Sequence, residues 1–229
     1  MKAAQCMNLA STPDVMPIDR EAWRRELHLS NFINAYYQFR DLQRLGTPTR
    51  VLIIGPGQGL DTEVLRWRGA DVTTFDIDRT FEPDVIGSVH DLSMFGSMSF
   101  DAVIASHVLE HLPVAYLDAA LAELARVARH ALVYLPVTGR PLQFRLKSGF
   151  RNLDLSLVID LFNYFARPDP DKARFCGGQH YWEVGRMGFT RRKIRERLLR
   201  EFEILDEYRN PDWLPSRNYI LRSRRASQR

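Results

Sequence analysis

Hydrophobic and polar positions along this chain follow two periods, and the period changes at glycines and prolines. Four consecutive aliphatic residues, Val51 to Ile54, read as a strand buried on both faces of a sheet. Gly55, Gly57 and Gly59 follow at alternate positions, and Leu60, Val64 and Leu65 then take helical spacing, so the stretch predicts strand, tight turn, helix. Gly69 stops that helix. Strands are predicted at Asp71–Asp76, Asp84–Gly87, Phe100–Ala105 and Ala131–Leu135, the last closed by Pro136. Leu117, Leu121, Leu124 and Ala128 mark a helix from Val114 to Arg129. Upstream, Trp23, Leu27, Phe32, Tyr36, Phe39 and Leu42 predict a helix over Asp19–Leu45 that Gly46 and Pro48 end. Tyr36 and Tyr37 on it are either part of a lid over a ligand or core of a packed helix.

Downstream the simple alternation stops. A basic, aromatic-bearing loop, T-G-R-P-L-Q-F-R-L-K-S-G-F-R, leads to a predicted helix over Leu153–Phe165, with Val158, Leu161, Phe162 and Phe165 on one face. R-P-D-P-D-K breaks it, and C-G-G-Q-H-Y-W-E-V-G follows. Thr190 caps a predicted helix to Leu199 or Arg200, with Ile194, Leu198 and Phe202 facing inward. Glu203–Tyr208 and Tyr219–Leu221 are two closing strands, and the last eight residues read as a frayed tail. Strands alternating with helices predict an α/β fold, a doubly wound and mainly parallel seven-stranded sheet with a helical or loop insert before the last two strands. Residues 1–17, broken by Pro13 and Pro17, are expected as a disordered tail. Residues 18–229 form a single domain, with 50–136 as a ligand-binding core and 137–190 as the insert.

Composition narrows the class. The chain has 229 residues, of which 45% are hydrophobic, as in a soluble globular protein. No apolar run approaches a membrane span, and the N-terminus lacks the apolar core of a signal peptide. Two cysteines, Cys6 and Cys176, offer no metal-binding spacing, and a reducing cytoplasm fits best. The net charge of +4 hides an asymmetry. Residues 1–139 hold 12 Lys/Arg against 17 Asp/Glu, while residues 140–229 hold 20 against 11. The basic half is either a solvated face or a surface for an anionic partner such as nucleic acid.

In a doubly wound sheet, ligands sit at the carboxyl ends of the strands. The glycine loop, Asp76, Asp91 and His107 all fall at that edge. An acid ending the second strand can accept both hydroxyl hydrogens of a ribose. The nicotinamide fingerprint G-x-G-x-x-G would need glycine where Leu60 stands, which disfavours a nicotinamide oxidoreductase. G-x-G-x-G instead resembles motif I of the class I S-adenosylmethionine (SAM) methyltransferases, of the type 11 kind. VLIIGPGQG, FDID, VHDL, FDAVIASHVLEHLP and ALVYLP are similar to that family's motifs in order and spacing over residues 50–136. The resemblance implies a Rossmann-like fold and S-adenosyl-L-methionine as cofactor. It lays Gly55, Gly57, Gln58 and Gly59 along the methionine part, puts the ribose on Asp76 and packs the adenine on Ile77. It sets Asp91 and Leu92 at the adenine edge, and Ser106 with His107 on the floor near the sulfonium.

Two positions depart from the family. Ile53 stands where many members carry an acid that orients the SAM amino group, and Asp61 is the nearest compensating carboxylate. Ser88 stands where an acid often meets the adenine amine, with Asp91 nearby. The expected reaction is methyl transfer to a small-molecule or glycan-like acceptor, more at oxygen than at carbon. The catalytic candidates are the imidazoles His107, His111 and His180, and His180, Tyr181, Trp182 and Glu183 are candidates for substrate contact. Two alternatives are an inactive methyltransferase-like binding module and an RNA-directed enzyme using the basic half. No metal ligand is assigned among the site residues. V-L-E-H-L is common as helix packing. If a helix begins at His107, then His107, Glu110 and His111 share a face, with His180 as a distant fourth group. That pattern resembles the E-x-x-E-H site of small-RNA 2′-O-methyltransferases and ubiquinone-pathway O-methyltransferases.

Overall fold

The computed structural model describes residues 28–139, 141–149, 153–160 and 178–228. The expected tail of residues 1–17, both cysteines and the breaker R-P-D-P-D-K lie outside the described residues. Helix α1 (Leu29–Arg44) leads into β1 (Arg50–Ile54), α2 (Leu60–Trp67), β2 (Asp71–Asp76), β3 (Val85–Ile86) and β4 (Phe100–Ser106). Helix α3 (Val114–Val127) and β5 (Ala128–Pro136) complete the first half. The second half holds β6 (Pro141–Ser148), β7 (Leu153–Asp160), α4 (Arg191–Glu201), β8 (Phe202–Arg209) and β9 (Ser216–Ser223).

Seven strands form one sheet in the order β3-β2-β1-β4-β5-β9-β8. The first five run parallel, and β9 lies antiparallel to both β5 and β8. This is the doubly wound, mainly parallel sheet that the alternation predicts. The aliphatic run of β1 explains why. Leu52 and Ile54 join a core on one face with Leu117, Leu121, Leu124, Ile194 and Leu198. Val51 and Ile53 join a core on the other face with Tyr37, Leu42 and Leu65. Helices α3 and α4 therefore cover one side, and α1 and α2 the other.

Five expectations need correction, the first being that the basic stretch read as a loop forms strand β6 over Pro141–Ser148. Residues 153–160 form a strand, not the start of a helix, and pair antiparallel with β6 as a separate two-stranded hairpin. The alternation of Leu153, Leu155, Leu157 and Ile159 is a two-residue period, and it outweighs the helical spacing of Val158 with residues further on. The part of that predicted helix beyond Asp160 lies outside the described residues. Helix α1 buries only part of the predicted set, Leu42 with Phe39 packed beside it, and adds positions that were not predicted. Phe32 and Tyr36 are exposed, while Ala35, Tyr37, Gln38, Asp41 and Leu42 are buried. Its inner face is partly polar because Asp41 accepts hydrogen bonds from Tyr134 of β5, at 2.7 Å, and from Tyr208 of β8. No helix begins at His107. That residue has φ = +56°, and only a single 3-10 turn, Leu109–His111, precedes α3. Finally, the C-terminal residues do not fray at once. A turn over Arg224–Gln228 docks back, with Arg224 Nε donating to the carbonyls of Leu199 and Phe202.

Candidate active site

The carboxyl edge of the sheet carries the site, and the glycine turn opens it. Gly55, Gly57 and Gly59 all have positive φ, at 66°, 54° and 78°. That region favours glycine because a Cβ would strain the backbone. At Gly55 space is lacking as well, since a Cβ there would lie 2.5 Å from Val108 Cγ2. Gly59 is the N-cap of α2, so the first amides of that helix border the turn. Gln58 is half-buried between them.

Asp76 ends β2, and its Oδ1 accepts from the Asp78 amide at 2.9 Å, which fixes the carboxylate at the edge. Ile77 next to it is half-buried. Asp91 accepts from the Ser93 amide at 3.1 Å, and hydrogen bonds from Ser93 hold its carboxyl below the usual range. Leu92 is fully buried in the core, with its amide on Glu123 and its carbonyl on Arg126. Ile53 is also core, only 1% exposed. Asp61, in the first turn of α2, is the carboxylate beside the glycine turn. Burial pushes it up to about 6, against hydrogen bonds from Thr62 and Gln38 that favour its charged form.

Ser106 and His107 end β4. The Ser106 hydroxyl exchanges hydrogen bonds with the Asn34 side chain at 2.8 and 3.2 Å, which ties α1 to this edge. His107 Nε2 lies 3.0 Å from the Ser216 hydroxyl, and Nδ1 lies 3.5 Å from Glu110 Oε1. Its ring packs 4.7 Å from that of Trp213. Sequence reasoning missed Trp213. The signal is the turn N-P-D-W-L-P between β8 and β9, where Asn210 Oδ1 accepts from the amides of Asp212 and Trp213 at 3.0 and 3.1 Å. Asp212 then joins three elements: it accepts from Tyr37 of α1 at 2.6 Å and pairs with Arg145 of the hairpin. Gln143 of β6 donates to the Pro211 carbonyl at 2.7 Å. Tyr37 is thus a buried anchor, and Tyr36 is the exposed aromatic of the pair.

The three imidazoles separate into two groups. His107 faces Trp213 and Ser216. His111 and His180 meet each other, with ring centres 4.9 Å apart. Glu110 lies between the two groups, fully buried, with neither carboxylate oxygen hydrogen-bonded. Burial alone would raise its pKa, but the surrounding imidazoles hold it below the usual carboxylate value. The cluster expected to touch substrate is instead packed. Trp182 is fully buried and stacks on Phe189 at 5.2 Å, and Tyr181 is 8% exposed. Glu183 binds His180, Thr138 and Arg186, and these partners outweigh burial to hold it at about 2. Trp182 packs among apolar core positions, with its indole nitrogen buried and without a hydrogen-bond partner among the described residues.

The basic face is also engaged. Arg191, Arg195 and Arg217 pair with Glu207, Arg192 with Glu196, and Arg197 and Arg200 with Asp118. Among the described residues no helix is long and apolar enough to cross a membrane.

Comparison with known proteins bears on this geometry. A family profile described as a methyltransferase domain matches residues 52–131. Curated protein sequences give no match. Solved structures share the fold at low identity. A Pyrococcus horikoshii protein is 12% identical, with a TM-score of 0.53 over 87% of this chain and 93% of its own. The 1,6-didemethyltoxoflavin-N1-methyltransferase of Burkholderia thailandensis, with its substrate and S-adenosylhomocysteine bound, is 18% identical. Its TM-score is 0.52 over 93% of this chain and 92% of its own. A glycopeptide N-methyltransferase complexed with S-adenosylhomocysteine is 12% identical, with a TM-score of 0.53 over 83% and 89%.

Proposed function

We propose that this chain, whose residues 52–131 match a methyltransferase-domain profile, is a class I SAM-dependent methyltransferase that methylates a small-molecule or glycan-like acceptor at oxygen. One observation carries the reading. The left-handed glycine turn, the Asp76 carboxylate and the Ser106–His107 floor share one carboxyl edge of a doubly wound sheet. SAM supplies a methyl group already activated on a sulfonium. The protein must therefore hold the cofactor, align the acceptor and remove a proton.

Residues of the first half do the holding. The backbone from Gly55 through Gly57 and Gln58 to Gly59 lets the methionine part approach, and Asp61 meets its ammonium in place of the missing acid at Ile53. Asp76 receives the ribose hydroxyls, Ile77 and Asp91 border the adenine, and Leu92 shapes that edge from the core. On the acceptor side, the exposed Tyr36 and the Trp213 ring form aromatic walls. His107 is the base: a hydroxyl that takes the place of Ser216 at Nε2 gives its proton to the ring, and Glu110 on the far nitrogen stabilises the imidazolium.

Two of the fold neighbours are named for a small heterocycle and a glycopeptide, which supports an acceptor of that size. Their names give nitrogen as the methylated atom, so the oxygen preference here rests on the His107–Glu110 pair. The RNA-directed alternative finds less support, because the arginines of α4 are paired within the chain. Turnover of SAM, measured as S-adenosylhomocysteine release against panels of phenols, sugars and RNA, tests the reading. With the best acceptor, His107→Ala is expected to lower kcat by about 10²–10⁴-fold while S-adenosylhomocysteine affinity stays within about threefold. Unchanged kcat would remove His107 from the reaction, and turnover with RNA alone would overturn the acceptor class.

A further inference from the structure

Behind the His107 ring lies a cluster of groups that reaches beyond the contact of Glu110 with that ring. Glu110 and His111 come from the turn after β4, and His180 comes from the far end of the insert, 69 residues later in the chain. Each offers one ligand atom, and the three atoms lie within 4.8 Å of one another. The carboxylate is the unusual member. It is fully buried, and neither oxygen receives a hydrogen bond. A buried carboxylate is costly to leave in that state, and it is most often paired or bound to a metal.

The two imidazoles are set up as ligands. His111 Nδ1 lies 3.0 Å from the Gln179 carbonyl. A carbonyl only accepts, so Nδ1 carries the proton and Nε2 keeps its lone pair. His180 Nδ1 lies 3.0 Å from Glu183 Oε1, which fixes the same tautomer. Its Nε2 lies 4.0 Å from Glu110 Oε1. Histidines that bind metals have the other ring nitrogen held in this way, by a carbonyl or a carboxylate. Glu183 is itself tied to Arg186 and Thr138, so the outer shell is complete.

We propose that Glu110, His111 and His180 bind one divalent cation of the borderline class, such as zinc. Two nitrogens and one oxygen suit that class better than magnesium or calcium, which take oxygen ligands. In a tetrahedral zinc site the ligand atoms stand about 3.4 Å apart. The three ligand atoms, now within 4.8 Å of one another, would draw in on binding. Glu110 and His180 are buried, while His111 is exposed and gives the cation its way in. His107, which the sequence pattern groups with Glu110 and His111, is not part of this set, because its ring is held by Ser216 and Trp213. The cation would pin the turn after β4 to the Gly178–Glu183 segment, where the backbone already joins them through Tyr181 N–H and the Glu110 carbonyl at 2.9 Å. Such a staple stands apart from the choice of acceptor, and its test needs no turnover.

The full chain, stripped with chelator and dialysed, is titrated with zinc by calorimetry and with cobalt by visible absorption. Expected are one cation per chain with micromolar or tighter affinity, tetrahedral cobalt bands, and a raised Tm with zinc. His111→Gln, at an exposed position, and Glu110→Gln, close in shape, should each weaken binding at least about 100-fold. His90→Gln, outside the set, should leave it unchanged. Absence of a stoichiometric ion and of any Tm shift in the wild-type chain overturns the proposal. So does zinc binding that survives undiminished in folded His111→Gln protein.

Discussion

The two halves of this molecule obey different rules. From β1 through the glycine turn and α2 to β2, each element is set by its own residues. The Val51–Ile54 run is buried on both faces, and the three glycines that follow all take the left-handed conformation. The β6–β7 hairpin and the segment Tyr181–Glu183 instead depend on partners far away in sequence. The β6–β7 hairpin is held by a turn between β8 and β9, through Gln143 on Pro211 and Arg145 on Asp212. Polar residues that look poised for a substrate, Tyr181 to Glu183, are instead packed against the first half. On the proposed function, a cofactor common to a large family would be met by local backbone geometry, and an acceptor peculiar to one member by tertiary assembly.

The sharpest way to break this contrast is at Trp182. Its side chain is fully buried and stacks on Phe189, with Leu198 and Phe202 in the same core. Trp182→Ala is expected to cost about 3–5 kcal/mol of stability, as large-to-small changes in a core do. Denaturant unfolding measures it. A variant that loses less than 1 kcal/mol, on the order of a surface change, but binds acceptor poorly would return Trp182 to the substrate pocket.

Asp76 sharpens the other side of the comparison. It is half-buried at the end of β2, and its Oδ1 is oriented by the Asp78 amide. Asp76→Ala is expected to weaken S-adenosylhomocysteine binding by about 1.5–3 kcal/mol, roughly 10- to 150-fold, with little loss of stability. Calorimetric titration reads the affinity. Full affinity in the folded variant would make Asp76 a turn residue only.

How much was legible in the sequence follows the same divide. The glycine turn, Asp76, Asp91 and the Ser106–His107 floor all reach one edge because strand order and right-handed crossovers put them there. Three features were not legible. The strand at Leu153–Asp160 has an apolar alternation that extends into a run also compatible with a helix. The inner face of α1 holds Gln38 and Asp41, polar residues whose burial makes sense only once Tyr134 and Tyr208 are brought against Asp41. The pairing of His111 with His180, and the turn of His107 toward Trp213, arise from a left-handed residue and one 3-10 turn where the spacing suggested a continuous helix. Hydrophobic periodicity reports which face is apolar. It does not report which polar groups will find each other across the core.

The smallest expected effect lies where the two halves of the argument meet, at Asp61. The family's usual acid is replaced by Ile53, which is core, and Asp61 is the carboxylate left beside the glycine turn. Burial raises its pKa from 3.8 to about 6. The sign follows from which form each state favours. Protonation is favoured in the folded protein, so stability falls as pH rises from 4 through 6, and Asp61→Asn should relieve that cost at pH 7. Cofactor binding runs the other way. The SAM ammonium favours the ionised carboxylate, so affinity should rise about tenfold between pH 5 and pH 7 and take up less proton-linked change above that. Calorimetry at three pH values, on wild type and on Asp61→Asn, reads both trends. If the two proteins give parallel pH profiles, the ammonium is held elsewhere, and the loss of the acid at Ile53 has no compensation at Asp61. A flat profile in Asp61→Asn against a rising one in wild type would show that one helix-start carboxylate has taken over the role of a strand-end acid.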